Sequence, residues 1–138
     1  MKIMLDTGAI VPTRAHKKDA GLDLYAPRDY WVKAGESVII DTGVHVELPS
    51  CTYGEVRSRS GMMFNSNIVA GDGTIDEGYI GAVKVKLFNL SKVTDYHIKK
   101  GERIAQLVIV PVVRPTLEVV DSLDDTDRGS TGFGDSGK

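Results

Sequence analysis

The sequence predicts an all-β fold, an antiparallel barrel or sandwich that carries one short helix. Two observations support this prediction. The 15 glycines are spread over the 138 residues and separate short runs rich in β-forming residues, which is typical of small antiparallel proteins. Helical periodicity is almost absent from the chain. The β-rich runs include Ser37 to Ile40, Gly43 to Leu48, Ile68 to Ala70 and Leu117 to Val120.

The clearest single strand is predicted from Ala82 to Phe88. Three aliphatic residues alternate there with Lys84, Lys86 and Phe88. A period of two is expected for a strand with one buried face. This face is therefore predicted to belong to the core.

The run from Ile104 to Val113 is apolar at almost every position. A strand of that composition is expected to be buried on both faces. Because the chain is small, a continuous apolar strand indicates that part of it packs against another subunit.

One helix is predicted, from Ser60 to Asn65, with Ser60 as a candidate N-cap. The segment carries Met62, Met63 and Phe64 and is long enough for a turn or two.

The length fits one folded domain, since typical domains contain about 100–150 residues. From Asp121 onward the composition changes to Asp, Gly, Ser and Thr, with Phe133 as the only aromatic residue. Such a segment cannot order itself by burying apolar side chains. We therefore expect a β-barrel domain over residues 1–120 and a flexible glycine-rich arm over residues 121–138.

The composition excludes several classes of function. With 17 Lys and Arg against 19 Asp and Glu, the chain lacks the positive charge of a duplex-DNA or membrane-surface binder. A single cysteine, Cys51, rules out an internal disulfide, and His16, His45 and His97 are too scattered for a zinc cluster. No signal-peptide pattern or membrane-spanning run is found. A soluble, cytoplasmic protein is expected.

Three segments could carry chemistry. In the first, Arg59, Ser60 and Gly61 stand where a strand is predicted to run into the helix. A helix N-terminus offers unpaired backbone N–H groups to an anion, and Arg adds charge-assisted hydrogen bonds to phosphate oxygens. An ordinary solvated turn has the same composition, so this segment alone does not decide between the two.

The second segment, Gly71 to Gly81, joins two strand-like runs and is a β-hairpin candidate. Exposed backbone in a hairpin can hydrogen-bond the edge of a planar base. Asp76 could take a proton from water, and Tyr79 could offer its ring to a sugar. A turn-capping Asp76 and a packed Tyr79 are the structural alternative.

The third segment, Arg128 to Gly137, combines one cation and one aromatic residue, Phe133, with hydroxyls and glycines. Such a strip can close over a nucleotide, with the aromatic ring stacked on the base and the cation on phosphates. A low-complexity terminus without a function is the alternative.

Taken in order, these segments resemble the five motifs of the trimeric dUTPase family, from about Ala20 to Ser136. The order and spacing are more specific than any one motif. The five segments are Ala20 to Ala26, Arg59 to Gly61, Gly73 to Asp76 with Tyr79 and Gly81, Gly101 to Leu107, and the glycine-rich tail.

The resemblance implies an antiparallel barrel or jelly roll, and an enzyme that hydrolyses dUTP to dUMP and pyrophosphate. That reaction limits uracil in DNA and supplies dUMP for thymidylate synthesis. It also implies a homotrimer in which each active site takes the phosphate motifs from one chain, the hairpin from a second and the tail from a third. A further regulatory protein partner is compatible with the family pattern.

Roles are carried over by position. Asp76 would activate the water that attacks the α-phosphorus, and Tyr79 would pack on deoxyribose. Mg²⁺ would be held mainly by the triphosphate, with Asp23 in contact through water. The remaining substrate contacts would be uracil on the backbone of Ala70, Gly73, Thr74 and Ile75, phosphates on Arg59, Ser60, Gly61 and Gln106, and further contacts from Lys84, Arg128, Phe133 and Ser136.

Three positions depart from the family pattern. Ser58 stands where proline is common, Ala82 where an acidic residue is common, and Asp135 where a hydroxyl is common. The first two should change rigidity, whereas a carboxylate at Asp135 would repel the γ-phosphate unless it turned outward.

Two alternatives from other classes were weighed. A dCTP deaminase shares the fold but carries a catalytic Glu on the strand after the hairpin, where this chain reads Val83 to Leu87 without a carboxylate. A dUTP-sensing binding protein would use the same site without turnover. The presence of Asp76 favours hydrolysis over deamination, whereas the sensing role stays open at this point.

Overall fold

A computed structural model of the chain describes residues 1–126 and residue 129. In these residues, eleven β-strands and one short α-helix follow one another along the chain. The elements are β1 (Lys2–Leu5), β2 (Gly21–Tyr25), β3 (Tyr30–Val32), β4 (Ser37–Asp41), β5 (Val44–Glu47), β6 (Thr52–Arg57), α1 (Ser60–Ser66), β7 (Ile68–Ala70), β8 (Gly73–Ile75), β9 (Lys84–Asn89), β10 (Tyr96–Ile98) and β11 (Arg103–Pro111).

Every strand pair is antiparallel, and the pairs form four small sheets. The largest has the order β2-β11-β6-β8, and a second has the order β4-β9-β7. The other two are the pairs β1-β5 and β10-β3. The predicted all-β class with one short helix is confirmed.

The core lies between these sheets and is built from alternate strand positions. Val85 and Leu87 of β9 are fully buried, while Lys84 and Lys86, which alternate with them, are exposed. The predicted alternation is therefore confirmed, although the strand begins at Lys84 rather than Ala82.

The apolar run that begins at Ile104 forms the central strand β11, which pairs with β2 on one side and β6 on the other. Ile104, Ala105 and Leu107 are buried, as predicted. From Val108 to Val110 the strand is only half-buried within one chain. The second half of β11 thus leaves apolar surface accessible.

Two local predictions need correction. Arg59, not Ser60, occupies the N-cap of α1, and it makes no side-chain capping hydrogen bond. The run Leu117 to Val120 forms no strand, because no strand of the described residues pairs with it; Leu117 and Val119 are 90% and 100% exposed. β-propensity alone does not make a strand without a partner.

The hairpin prediction is confirmed with an addition. Strands β7 and β9 pair antiparallel, with Ala70 opposite Leu87. Their long connection contains the extra strand β8, which leaves this sheet and pairs with β6, Thr74 opposite Glu55. The connection therefore links the two main sheets, and β8 becomes an edge strand of the larger one.

Among the described residues, no helix is long and apolar enough to cross a membrane. The predicted tail contacts of Arg128, Phe133 and Ser136, and the departure at Asp135, lie outside the described residues.

Candidate active site

A buried carboxylate holds two arginines at the point where β2, α1 and β11 meet. The Asp23 side chain is 5% exposed. Its Oδ1 accepts a hydrogen bond from Arg59 Nε at 3.1 Å, and its Oδ2 accepts one from Arg103 Nη1 at 3.3 Å. The Arg59 guanidinium also donates from Nη1 to the backbone carbonyl of Arg103 at 3.1 Å. A charge at this depth is tolerated because it is paired and hydrogen-bonded.

Gln106 lies beside this cluster on β11, directly opposite Asp23 of β2 and Arg57 of β6. A Cβ at Gly21 would stand 2.9 Å from Gln106 Cβ. The single glycine of the motif Ala20 to Ala26 is therefore needed so that the Gln106 side chain can lie across β2. The structure thus brings Asp23, Arg59 and Gln106 together, as the resemblance implies.

Ser60 and Gly61 form the first turn of α1, and both are exposed. No heavy atom lies within 4 Å of a Cβ built on Gly61. The backbone at the start of the helix is consequently open to a ligand next to the Arg59 side chain.

Ser58 ties the segment from Arg59 to Gly61 to β7. Its hydroxyl accepts a hydrogen bond from the Ala70 N–H at 2.8 Å and donates to the Ala70 carbonyl at 3.2 Å. The serine that departs from the family pattern therefore supplies a link that a proline could not make. The Ala70 N–H, one of the backbone groups predicted to contact uracil, is thus already bonded within the chain.

A second group of predicted site residues lines a cavity beside β8. The cavity has a volume of about 230 Å³, and its walls are Thr74, Ile75, Asp76, Tyr79, Ala82 and Lys84. Asp76 is exposed and follows β8 directly. The Lys84 ammonium lies 3.9 Å from Asp41 Oδ2. A pre-formed ligand pocket usually encloses about 300–1,000 Å³, so this cavity is small for a whole nucleotide.

Tyr79 is folded back over the loop that it belongs to. Its hydroxyl donates to the Ala82 carbonyl at 3.2 Å, and a Cβ at Gly81 would overlap the phenol ring. The ring remains 45% exposed. Glycine at position 81 therefore allows Tyr79 to present one face to the cavity.

The loop from Asp76 to Ala82 is held from both ends. Glu77 Oε2 accepts from Arg114 Nη2 at 2.7 Å and from the Cys51 N–H at 3.0 Å. The Arg114 guanidinium, followed by the Cys51 N–H, lowers the pKa of the Glu77 carboxyl. At the other end the Ile80 carbonyl meets His45 Nδ1 at 2.7 Å. Asp76 thus sits on an exposed loop whose backbone is fixed by neighbours.

The two groups do not share a wall within one chain. The cavity beside β8 is lined by none of Arg59, Ser60, Gly61 and Gln106. Across residues 1–126 and residue 129, no three metal-ligating side chains converge on one point.

Several residues of this arrangement were missed at the sequence level. Arg103 belongs to the motif Gly101 to Leu107, so its position could have been suspected from its proximity to Gln106. Glu77 and Arg114 are 37 residues apart and His45 and Ile80 are 35 apart, so no local pattern connects either pair.

A family model described as dUTPase matches residues 7–137 of the chain. The deoxyuridine 5'-triphosphate nucleotidohydrolase of Clostridium acetobutylicum is 46% identical over 135 residues, which cover 96% of this chain and 92% of that protein. A mitochondrial human protein of the same name is 45% identical over 134 residues, which cover 97% of this chain and 53% of that protein.

Solved structures show the same similarity. The dUTPase of Staphylococcus bacteriophage 80alpha with dUpNHpp aligns with a TM-score of 0.92 at 33% identity, covering 99% of this chain and 98% of that one. A mutant dUTPase from phage phi11 of S. aureus aligns with a TM-score of 0.83 at 29% identity, covering 90% and 98%. That structure is described as revealing the coordination of a structural Mg(II) ion.

Proposed function

This chain belongs to the dUTPase family and hydrolyses dUTP to dUMP and pyrophosphate, and from this premise we propose that Asp76 is its general base. The observation that supports this role is the cavity that Asp76 shares with Tyr79 and Lys84 beside the edge strand β8. No other carboxylate lines that cavity. An exposed carboxylate held by an anchored loop can take a proton from a water molecule.

In the proposed reaction, the water oxygen forms a bond to the α-phosphorus while the bond from that phosphorus to the bridging oxygen breaks. Asp76 accepts the proton, and pyrophosphate leaves with the bridging oxygen. In-line displacement needs little covalent help from the protein, so positioning and charge stabilisation dominate catalysis. Arg59, Ser60, Gly61 and Gln106 are the groups proposed to hold the phosphates.

Uracil is proposed to bind along β8. As an edge strand, β8 pairs with β6 on one side only, and its other side leaves N–H and C=O groups free. An added partner can use such an edge through main-chain hydrogen bonds. Fixed donors and acceptors at Gly73, Thr74 and Ile75 would stay unpaired if cytosine entered, which disfavours dCTP. The deaminase alternative is therefore not favoured.

Tyr79 is proposed to lie against the deoxyribose. The exposed face of its ring borders the cavity beside Asp76. A ring packed against C2′ leaves no room for a 2′-hydroxyl, so UTP would be disfavoured sterically.

Mg²⁺ is the proposed cofactor, and the residues present fit a metal that is held mainly by the substrate. Both Asp23 oxygens bind guanidinium groups, so a direct bond to metal would disrupt these pairs, whereas contact through water leaves them in place. When bound, Mg²⁺ would neutralise charge on the triphosphate oxygens.

A homotrimer with shared sites is also proposed. The small cavity, the separation of the two residue groups and the half-buried second half of β11 support it. One chain would supply the Arg59 group, a second the Asp76 loop and a third the tail with Arg128, Phe133 and Ser136.

Pyrophosphate release from dUTP, dCTP, dTTP and UTP, with and without Mg²⁺, tests the proposal. We expect release from dUTP only. Asp76→Asn is nearly isosteric and should reduce kcat by about 10²–10⁴-fold while dUTP still binds. Substantial turnover by this variant would contradict the assignment of the base, and ammonia release from dCTP would contradict the reaction class.

A further inference from the structure

His45 lies between two groups that can only accept hydrogen bonds. Its Nδ1 is 2.7 Å from the carbonyl oxygen of Ile80, and its Nε2 is 3.2 Å from Asp6 Oδ2. A neutral imidazole has one N–H and can donate to only one of them. The imidazolium has two N–H groups and satisfies both at once.

We infer that His45 is a positioning residue for the catalytic loop, and that the loop is held best when His45 is protonated. This inference rests on the proposed roles of Asp76 and Tyr79. Ile80 directly follows Tyr79, so the carbonyl that His45 binds belongs to the segment that carries both side chains. The side-chain hydrogen bonds of His45 go to Ile80 and Asp6, and none of these three residues lines the cavity.

Backbone hydrogen bonds near this contact also hold the end of the loop, so His45 would adjust the position of the loop without being needed for folding. The Val83 N–H donates to the Val44 carbonyl at 2.8 Å, and the Thr42 N–H donates to the Val83 carbonyl at 3.2 Å. These bonds attach the end of the loop to the start of β5 at any pH. His45 adds a second attachment at Ile80, three residues earlier, and this attachment depends on a proton.

The charged groups around the ring favour the imidazolium. The hydrogen bonds to Ile80 and then to Asp6 raise the pKa of His45 above its ordinary value of 6.5, and Asp41 adds to this effect. Lys84 lies beside Asp41 at 3.9 Å, and Met4 stands opposite His45 on β1. The nearest charges along the strand pair, Lys2 and Glu47, neutralise each other at 3.0 Å.

The direction of the pH effect follows. Because the pKa is raised in the folded protein, both hydrogen bonds of His45 are complete below pH 6.5. As the pH rises through the higher, folded value the ring keeps only one N–H, for which the Ile80 carbonyl competes with the Asp6 carboxylate, and the Ile80 contact is weakened. The loop should therefore be positioned less well on the alkaline side. A net hydrogen bond is worth about a threefold to tenfold change in an equilibrium, so kcat/KM for dUTP should fall by about that factor.

Asp6→Asn gives the most informative variant. An asparagine amide can donate to the unprotonated Nε2 of His45, and Nδ1–H then still binds the Ile80 carbonyl. This variant should keep the wild-type activity of low pH and lose the alkaline decline. His45→Ala has no such contact at any pH, so its activity should lie at or below the low alkaline level of the wild type at every pH.

The experiment compares kcat/KM for dUTP of the three full-length proteins from about pH 6 to about pH 9, a range that spans histidine titration. Ionisation of dUTP itself affects all three alike, so ratios to the wild type isolate His45. Melting temperatures measured in the same buffers check that every variant is folded. A pH-independent ratio between Asp6→Asn and the wild type would overturn the inference, as would full activity of His45→Ala at low pH.

Asp76→Asn, assayed in parallel, separates this inference from the proposed function. An active Asp76→Asn would contradict the proposed base. An inactive Asp76→Asn together with identical pH profiles for the other proteins would contradict the role of His45 alone.

Discussion

At the scale of single residues, the site depends on two glycines that make room for their neighbours. Gly21 leaves space for Gln106, and Gly81 leaves space for the Tyr79 ring. The sequence indicated both glycines only as members of motifs. Their steric role could not be predicted, because Gly21 and Gln106 meet through strand pairing across 85 positions of the chain.

Gly81→Ala should displace the Tyr79 ring from the cavity, since the new Cβ would overlap the phenol. A misplacement of about 1 Å at a reacting site can cost roughly a hundredfold in rate. We therefore expect kcat/KM for dUTP to fall by about tenfold to a hundredfold, with weaker discrimination against UTP.

Tyr79→Phe is the matched control for that measurement. It removes the hydrogen bond to the Ala82 carbonyl but keeps the ring. If Tyr79→Phe lost the preference for dUTP over UTP while Gly81→Ala kept it, the ring would not be the feature that reads the sugar.

At the scale of elements, the connection from β7 to β9 is the part that the sequence predicted least completely. Its hairpin character and the position of Asp76 could be read from glycines and flanking β-rich runs. The crossing of β8 to the other sheet could not, because three residues carry too little periodicity to choose between two partner strands. The anchors at Glu77 and His45 are tertiary contacts and leave no local pattern.

Glu77→Gln should weaken the anchor of this loop to Arg114 and to the Cys51 N–H. The pKa of Glu77 is lowered from 4.5, so its contribution to stability is present above that pH and is lost as the pH falls through the lower, folded value. We expect the variant to melt at a lower temperature than the wild type near neutral pH. The difference should shrink toward zero in acid.

Glu118→Gln, at an exposed position without a strand, is the control for the loss of one carboxylate. Thermal denaturation followed by circular dichroism at several pH values measures both variants. If the melting temperature of Glu77→Gln fell further below that of the wild type toward acid pH, the ion-pair explanation would be contradicted.

At the scale of the whole molecule, each chain carries two separate groups of the residues proposed to form the active site. One group surrounds Asp23, and the other lines the cavity at Asp76. If sites are shared between chains, a subunit with a defective Asp76 loop and a subunit with a defective Asp23 group can together form one intact site.

Mixing two inactive variants should therefore restore activity. Asp76→Asn and Gln106→Ala would be co-expressed with different tags, and mixed assemblies isolated through both. In a symmetric trimer that contains both variants, about one of the three sites would combine an intact Asp76 loop with an intact Gln106 group from another chain. Each homotrimer alone is the control. No recovery in mixed assemblies would show that both groups act within one chain.

Much of the fold was accessible from the sequence because alternation and glycine spacing are local signals. The class, the short helix and strands such as β7 and β9 followed from them. The run Leu117 to Val120 does not form the predicted strand for a physical reason: within the part of the chain that the structure describes, no other strand pairs with it, and Val119 is fully exposed. Pairing, unlike propensity, depends on what lies nearby in space.

The cluster at Asp23 has a further effect on how the enzyme responds to its solution. Two guanidinium groups face one carboxylate, so the cluster carries a surplus of one positive charge. A surplus charge attracts any polyanion, whether the triphosphate of the substrate, the pyrophosphate product or buffer phosphate. Turnover should therefore be sensitive to product accumulation and to phosphate buffers. Raising the ionic strength should weaken the apparent affinity for dUTP. Salt screens partly exposed charges, and the screening length is about 10 Å at 0.1 M salt.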